Sequence, residues 1–158
     1  MARVATTTRV GLEDLLDFLR PRHRMILSTR RADGSPQMSP VSGGVDADGR
    51  IVISSYPERA KTRNARARPH VDVLVLSDDF DAGWVQISGT AEILDALDSD
   101  ADPSVLDAFE EYYRSIAGEH PDWAEYRQAM VDQKKSLLRI EPQSWGPIAT
   151  GGFPPRDS

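Results

Sequence analysis

The feature that most restricts what this chain can fold into is a pair of Asp-Gly dipeptides, Asp33-Gly34 and Asp48-Gly49. Each lies between runs rich in apolar and β-branched residues. Asp-Gly is a signal for a tight hairpin turn, so each pair predicts two antiparallel strands joined by one. The first turn links residues 24–30 to residues 37–45, and the second leads into residues 51–54. Three consecutive antiparallel strands result. Pro36 and Pro40 interrupt the middle strand, and because proline donates no ladder hydrogen bond they predict an edge or bulged strand.

Further along, residues 71–76 are apolar enough to be buried on both faces, and residues 84–94 read as a long strand in which Gly89 marks a bulge. Residues 136–140 form a last short strand. Helical spacing appears elsewhere. Leu12, Leu15, Leu16, Phe18 and Leu19 predict a helix ending near Pro21. Val105, Leu106, Phe109, Tyr112, Tyr113 and Ile116 form one stripe between Asp102-Pro103 and Gly118, and a further helix is expected over 123–130. Residues 1–10 read as loose and residues 141–158 as loop-like. Hairpins followed by segregated helices favour an α+β chain, mainly β, built as a small antiparallel barrel with peripheral helices. With 158 residues the chain suits one domain over 1–150, followed by a tail over 151–158.

Several chemistries are excluded. The chain has no cysteine, so it forms no disulfide, thiolate metal site or cysteine nucleophile. His23, His70 and His120 show no metal-ligand spacing. There is no Gly-x-Ser-x-Gly elbow, no Gly-x-Gly-x-x-Gly fingerprint and no Walker loop. A net charge of −6 argues against nucleic acid as a partner. No apolar run is long enough to span a bilayer, and the start lacks a signal-peptide core, so a cytoplasmic location is expected.

Against this acidic background, residues 55–69 carry Arg59, Lys61, Arg63, Arg66 and Arg68 with one acid, Glu58. From the residues alone the run fits either a solvated helix or an anion cradle. Pro57 suits the first turn of a helix, whose free N–H groups would reinforce side-chain cations around a phosphate. Arg59 and Arg63 share a helical face, whereas Lys61 projects elsewhere, and Arg66 and Arg68 suit solvent or pairing near the helix end. Trp84, after an acidic turn and Gly83, is placed to face a flat ring.

Three stretches carry a family resemblance: residues 23–37, the run Pro57-Glu58-Arg59-Ala60-Lys61-Thr62-Arg63-Asn64, and Gly83-Trp84-Val85-Gln86-Ile87-Ser88-Gly89-Thr90-Ala91. Together they resemble the pyridoxamine 5'-phosphate oxidase-like split-barrel flavoproteins. Within them the chain is most similar to the actinobacterial branch that uses the deazaflavin coenzyme F420. Residues 112–130 extend the likeness, which spans about residues 12 to 147. The resemblance implies a homodimer of split barrels, the FMN-binding fold type, with the cofactor in a groove at the interface. It implies that Arg59, Lys61 and Asn64, with Arg63 beside them, meet the cofactor's phosphate and glutamate tail. It sets Gln37 and Ser39 beside the ribityl chain and ring, Ser54 and Ser55 as further contacts, and Trp84 as the partner subunit's contribution. Pro40 stands where some relatives carry Asn. The implied activity is an F420-dependent reductase acting on a small organic acceptor, with an FMN-dependent flavoenzyme or a non-catalytic F420 carrier as alternatives. No side chain stands out as a general acid.

Overall fold

The computed structural model describes residues 3–154. In chain order the elements are β1 (Thr7–Thr8), α1 (Leu12–Leu19), β2 (Arg24–Arg30), β3 (Pro36–Val45), β4 (Ile51–Ser55), α2 (Ala60–Ala67), β5 (His70–Leu76), β6 (Val85–Asp95), α3 (Ser104–Ala117), α4 (Trp123–Asp132), β7 (Ser136–Trp145) and β8 (Ile148–Ala149). Both Asp-Gly pairs form turns, with Gly34 at φ 84° and Gly49 at φ 78°, angles that a side chain resists. In the second turn the buried Asp46 carboxylate accepts from the Asp48 and Arg50 N–H groups and from Arg50 Nε, at 3.0, 2.9 and 2.8 Å. Asp46→Ala is expected to cost about 1–3 kcal/mol, because three donors lose their acceptor at once. Urea unfolding should show a lower midpoint with an unchanged slope.

Alternation then closes the sheet. Met25, Leu27 and Thr29 of β2 and Val71, Val73 and Val75 of β5 are buried, while the residues between them face outward. The strands close into an antiparallel barrel in the order β2-β3-β4-β7-β6-β5, the expected mainly-β, α+β architecture. Strand β5 was expected to be buried on both faces, and the barrel corrects this. Its wall has the core on one side only, so Asp72, Leu74 and Leu76 are half-exposed on the other.

Strand β3 is likewise no sheet edge but part of the closed barrel, although the prolines still find one-sided pairing. It pairs with β2 over Pro36–Ser42 but with β4 only over Gly43–Val45. Gly43 donates to His23 O, and this fixes the phase: the main-chain N atoms of residues 36, 38, 40 and 42 turn away from β2. Pro36 and Pro40 therefore occupy positions where no ladder donor is required, and the barrel is split along this side.

Gly89 sits at a register shift between β6 and β7, as its position in a long strand predicts. The same bulge explains a correction: β7 continues to Trp145 instead of giving way to a loop after Ile140. Pro142 is tolerated there because it lies opposite Gly89, where the ladder is already broken. Residues 3–10 are also less loose than expected, since β1 pairs with β8 and the Trp145 indole donates to Val10 O at 2.9 Å. Met1, Ala2 and residues 155–158 of the predicted tail lie outside the described residues.

Two cores result. Leu15, Leu16 and Leu19 of α1 close over the barrel interior, while Val105 and Phe109 of α3 join Tyr126 and Met130 of α4 against Val52 and Leu137. Among the described residues, no helix is long and apolar enough to cross a membrane.

Candidate functional site

Residues 56–59 form a turn closed by Arg59 N–H to Tyr56 O at 3.2 Å, with Pro57 at its second position, where a fixed φ is favourable. Helix α2 therefore begins at Ala60 with Arg59 as its N-cap, not at Pro57 as the sequence suggests. Thr62 and Arg63 both donate to Arg59 O, at 3.1 and 3.0 Å, so the Ala60 and Lys61 N–H groups head the helix. Thr62 and Ala65 are buried against the barrel, and this fixes the direction of every other side chain.

The helix consequently divides its cations between two clefts. Arg63 and Asn64 line one of about 700 Å³ together with Arg31, Arg66 and Arg68. Lys61 lines the other, of about 460 Å³, with Ser54, Ser42, Tyr112 and Lys135. The second cleft opens along the split beside β3, where Pro40, Val41 and Ser42 form its wall and the Tyr112 hydroxyl donates to Ser42 O at 3.2 Å.

The five bases separate by partner. Arg66 bonds both Asp95 oxygens, at 3.0 and 2.9 Å. Arg68 donates to Arg30 O at 2.7 Å and to Asn64 Oδ1 at 3.3 Å. Arg59, Lys61 and Arg63 form no ion pair with any described residue. The Lys61 amine is held below the usual lysine pKa, first by burial and then by the nearby Arg59 and Lys135 charges. Burial and two neighbouring cations thus disfavour its charged form, which a nearby anion would favour.

Other predicted residues meet through hydroxyls to which the sequence reading gives no role. Asn64 Nδ2 donates to Thr29 Oγ1, which in turn donates to Gln37 Oε1, each at 3.2 Å. Thr62 Oγ1 donates to Ser55 Oγ at 3.0 Å. Thr29 and Thr62 are fully buried. The available signal for Thr29 is a hydroxyl on the inward phase Met25-Leu27-Thr29 of an otherwise apolar alternation. Ser39 Oγ is buried with no hydrogen-bond partner. Trp84 does not join this group within one chain. It is 38% exposed at the mouth of β6 and bonded through its main chain to Ala149.

Among the described residues, no His, Asp or Glu cluster could hold a metal ion. The arrangement offers cations without ion-pair partners at two clefts, Arg63 at one and Lys61 at the other, each able to attract an anion.

Comparison with known proteins agrees with this architecture. Over 99 residues the chain is 33% identical to an F420H(2)-dependent biliverdin reductase from Mycobacterium tuberculosis, covering 63% of this chain and 70% of that protein. A conserved hypothetical protein from Mycobacterium tuberculosis superposes with a TM-score of 0.66 at 23% identity, covering 97% of this chain and 96% of the other. A heme storage protein from Vibrio cholerae superposes with a TM-score of 0.62 at 20% identity, covering 90% and 98%. At these identities the two structures speak for the fold alone. Residues 12–149 match the pyridoxamine 5'-phosphate oxidase family. With an antiparallel barrel split beside β3 and flanked by α2, that match makes the chain a member of the pyridoxamine 5'-phosphate oxidase family.

Proposed function

We propose that this chain is a coenzyme F420-dependent oxidoreductase, a cytoplasmic homodimer that passes hydride from the reduced deazaflavin to a small organic acceptor. The observation that carries the reading is the division of the basic run: Arg66 and Arg68 are satisfied internally, while Arg59, Lys61 and Arg63 are left without partners. The buried Ser39 hydroxyl fits the same conclusion, because a buried donor without a partner is costly unless a ligand supplies one. The 33% identity to an F420H(2)-dependent reductase favours the deazaflavin over flavin mononucleotide.

When bound, the deazaflavin supplies the hydride chemistry. The residues of this chain bind and orient it. Lys61 and Ser54, at the head of α2 and the end of β4, take the phosphate, with Arg59, Arg63 and Asn64 serving the remaining negative charge. Gln37 and Ser39 line the ring side, and Ser55 holds Thr62 and hence the seat of α2. Support for a dimer comes from the outer barrel face, where Ile26 and Leu74 are half-exposed and Met38 is 63% exposed. A second copy covering that face would also supply Trp84 to the groove.

Anaerobic mixing of the protein with reduced F420 and biliverdin tests the activity. Protein-dependent oxidation of the deazaflavin is expected. Tight F420 binding with no oxidation by any acceptor would indicate a carrier, and a yellow protein as purified would indicate flavin mononucleotide.

The depressed Lys61 pKa gives a further expected outcome. Only the protonated amine attracts the anion, so affinity is complete below the free-chain pKa and declines as pH rises through it. Titration of F420 across a pH series should show this decline below the pH at which an ordinary lysine loses its proton. Lys61→Arg, charged throughout, should flatten it.

A further inference from the structure

The cleft lined by Lys61 is lined by a second lysine, Lys135, just before β7. Helix α4 ends in a closing turn in which Lys134 donates to Val131 O and Lys135 to Met130 O, both at 3.0 Å. Lys134 adopts φ 53°, the left-handed conformation that turns the chain sharply back. Lys135 O then accepts from Ala96 N–H at 2.9 Å, so the main chain of Lys135 is pinned on both sides. Its Nζ lies 4.0 Å from the centre of the Tyr56 ring, a cation–π contact in place of a carboxylate.

Neither Lys61 nor Lys135 forms an ion pair with a described residue, and no Asp or Glu lines their cleft. Lys135 also contributes to the depression of the Lys61 pKa, so the two charges sense each other. Two like charges beside one open cleft without a counter-charge are matched by a ligand carrying two negative charges. A phosphate diester supplies only one.

On the reading that this cleft takes the deazaflavin, we propose that Lys135 is a second anion ligand: Lys61 meets the cofactor's phosphate and Lys135 meets a carboxylate of its glutamate tail. The division follows from placement. Lys61 lies in the first turn of α2, where main-chain N–H groups and the Ser54 hydroxyl add phosphate donors. Lys135 enters from the α4–β7 junction beside Gln133, with its Nζ over the Tyr56 ring and not on α2.

The test compares two ligands at fixed ionic strength by fluorescence titration: full F420, and the same deazaflavin truncated after its phosphate. Lys135→Ala is expected to weaken full F420 about tenfold and leave the truncated form unchanged. Lys61→Ala should weaken both, and Lys135→Arg should retain native affinity. The anchoring bonds of Lys135 are main-chain, so these variants should keep the native circular dichroism spectrum, with Lys135→Gln as a second neutral variant. Equal weakening of both ligands by Lys135→Ala, or weakening of neither, overturns the assignment. If the native chain binds neither form, the deazaflavin reading falls, and the assignment of Lys135 falls with it.

Discussion

Gly89→Val is expected to destabilise the protein by about 3 kcal/mol or more, one of the largest effects open to a single substitution in this chain. A Cβ at Gly89 would lie 2.2 Å from Glu141 O and 2.9 Å from Ile140 Cγ2. The nearer atom is main chain and has no rotamer into which it can retreat. Strands β6 and β7 would have to part at their register shift, yet β6 is held on its other side by β5 and β7 by β4. Denaturant unfolding should show a large fall in midpoint for Gly89→Val and a smaller one for Gly89→Ala. Gly146→Ala is the control, since a Cβ there meets nothing within 4 Å. A native midpoint for Gly89→Val would contradict the close approach of the two strands.

Arg59→Ala/Lys61→Ala is expected to weaken F420 binding by about 2–4 kcal/mol, roughly 30- to 1,000-fold, with little change in stability. Neither cation serves as the partner of a described carboxylate, so their removal strands no opposite charge. Arg66→Ala is the informative contrast. It would leave Asp95, which already accepts from the Ser136 hydroxyl, without its cation, and should lower stability while leaving F420 affinity close to native. Melting curves and fluorescence titrations of the two variants should therefore change in opposite ways.

Much of the barrel was legible because its signals are local. Asp33-Gly34 and Asp48-Gly49 announce hairpins, Gly89 announces the bulge, and Gly118 stops α3, each through a backbone demand that neighbouring residues reveal. The misread features depend on distant partners. Pro142 looks like the end of a strand until Gly89 is found opposite it, and Thr7–Thr8 pairs with Ile148–Ala149 from the far end of the chain. Residues 71–76 looked buried on both sides because apolar content does not say how many layers pack on a strand. In the site, the separation of Lys61 from Arg63 follows from helical spacing, and the Arg66 and Arg68 pairings suit their place near the helix end. Thr29 and Lys135 are different. They come from β2 and the α4–β7 junction, and only closure of the barrel and packing of α4 bring them to α2.

Ligand affinity decides whether the α2 cations and the split beside β3 hold an anionic deazaflavin. The most direct measurement is equilibrium titration of the native protein with F420 and with flavin mononucleotide, in the same buffer and at the same ionic strength. F420 should bind the more tightly of the two, and Arg59→Ala/Lys61→Ala should abolish most of that binding. Tighter binding of flavin mononucleotide, or an F420 affinity unchanged in the double variant, would contradict the deazaflavin reading.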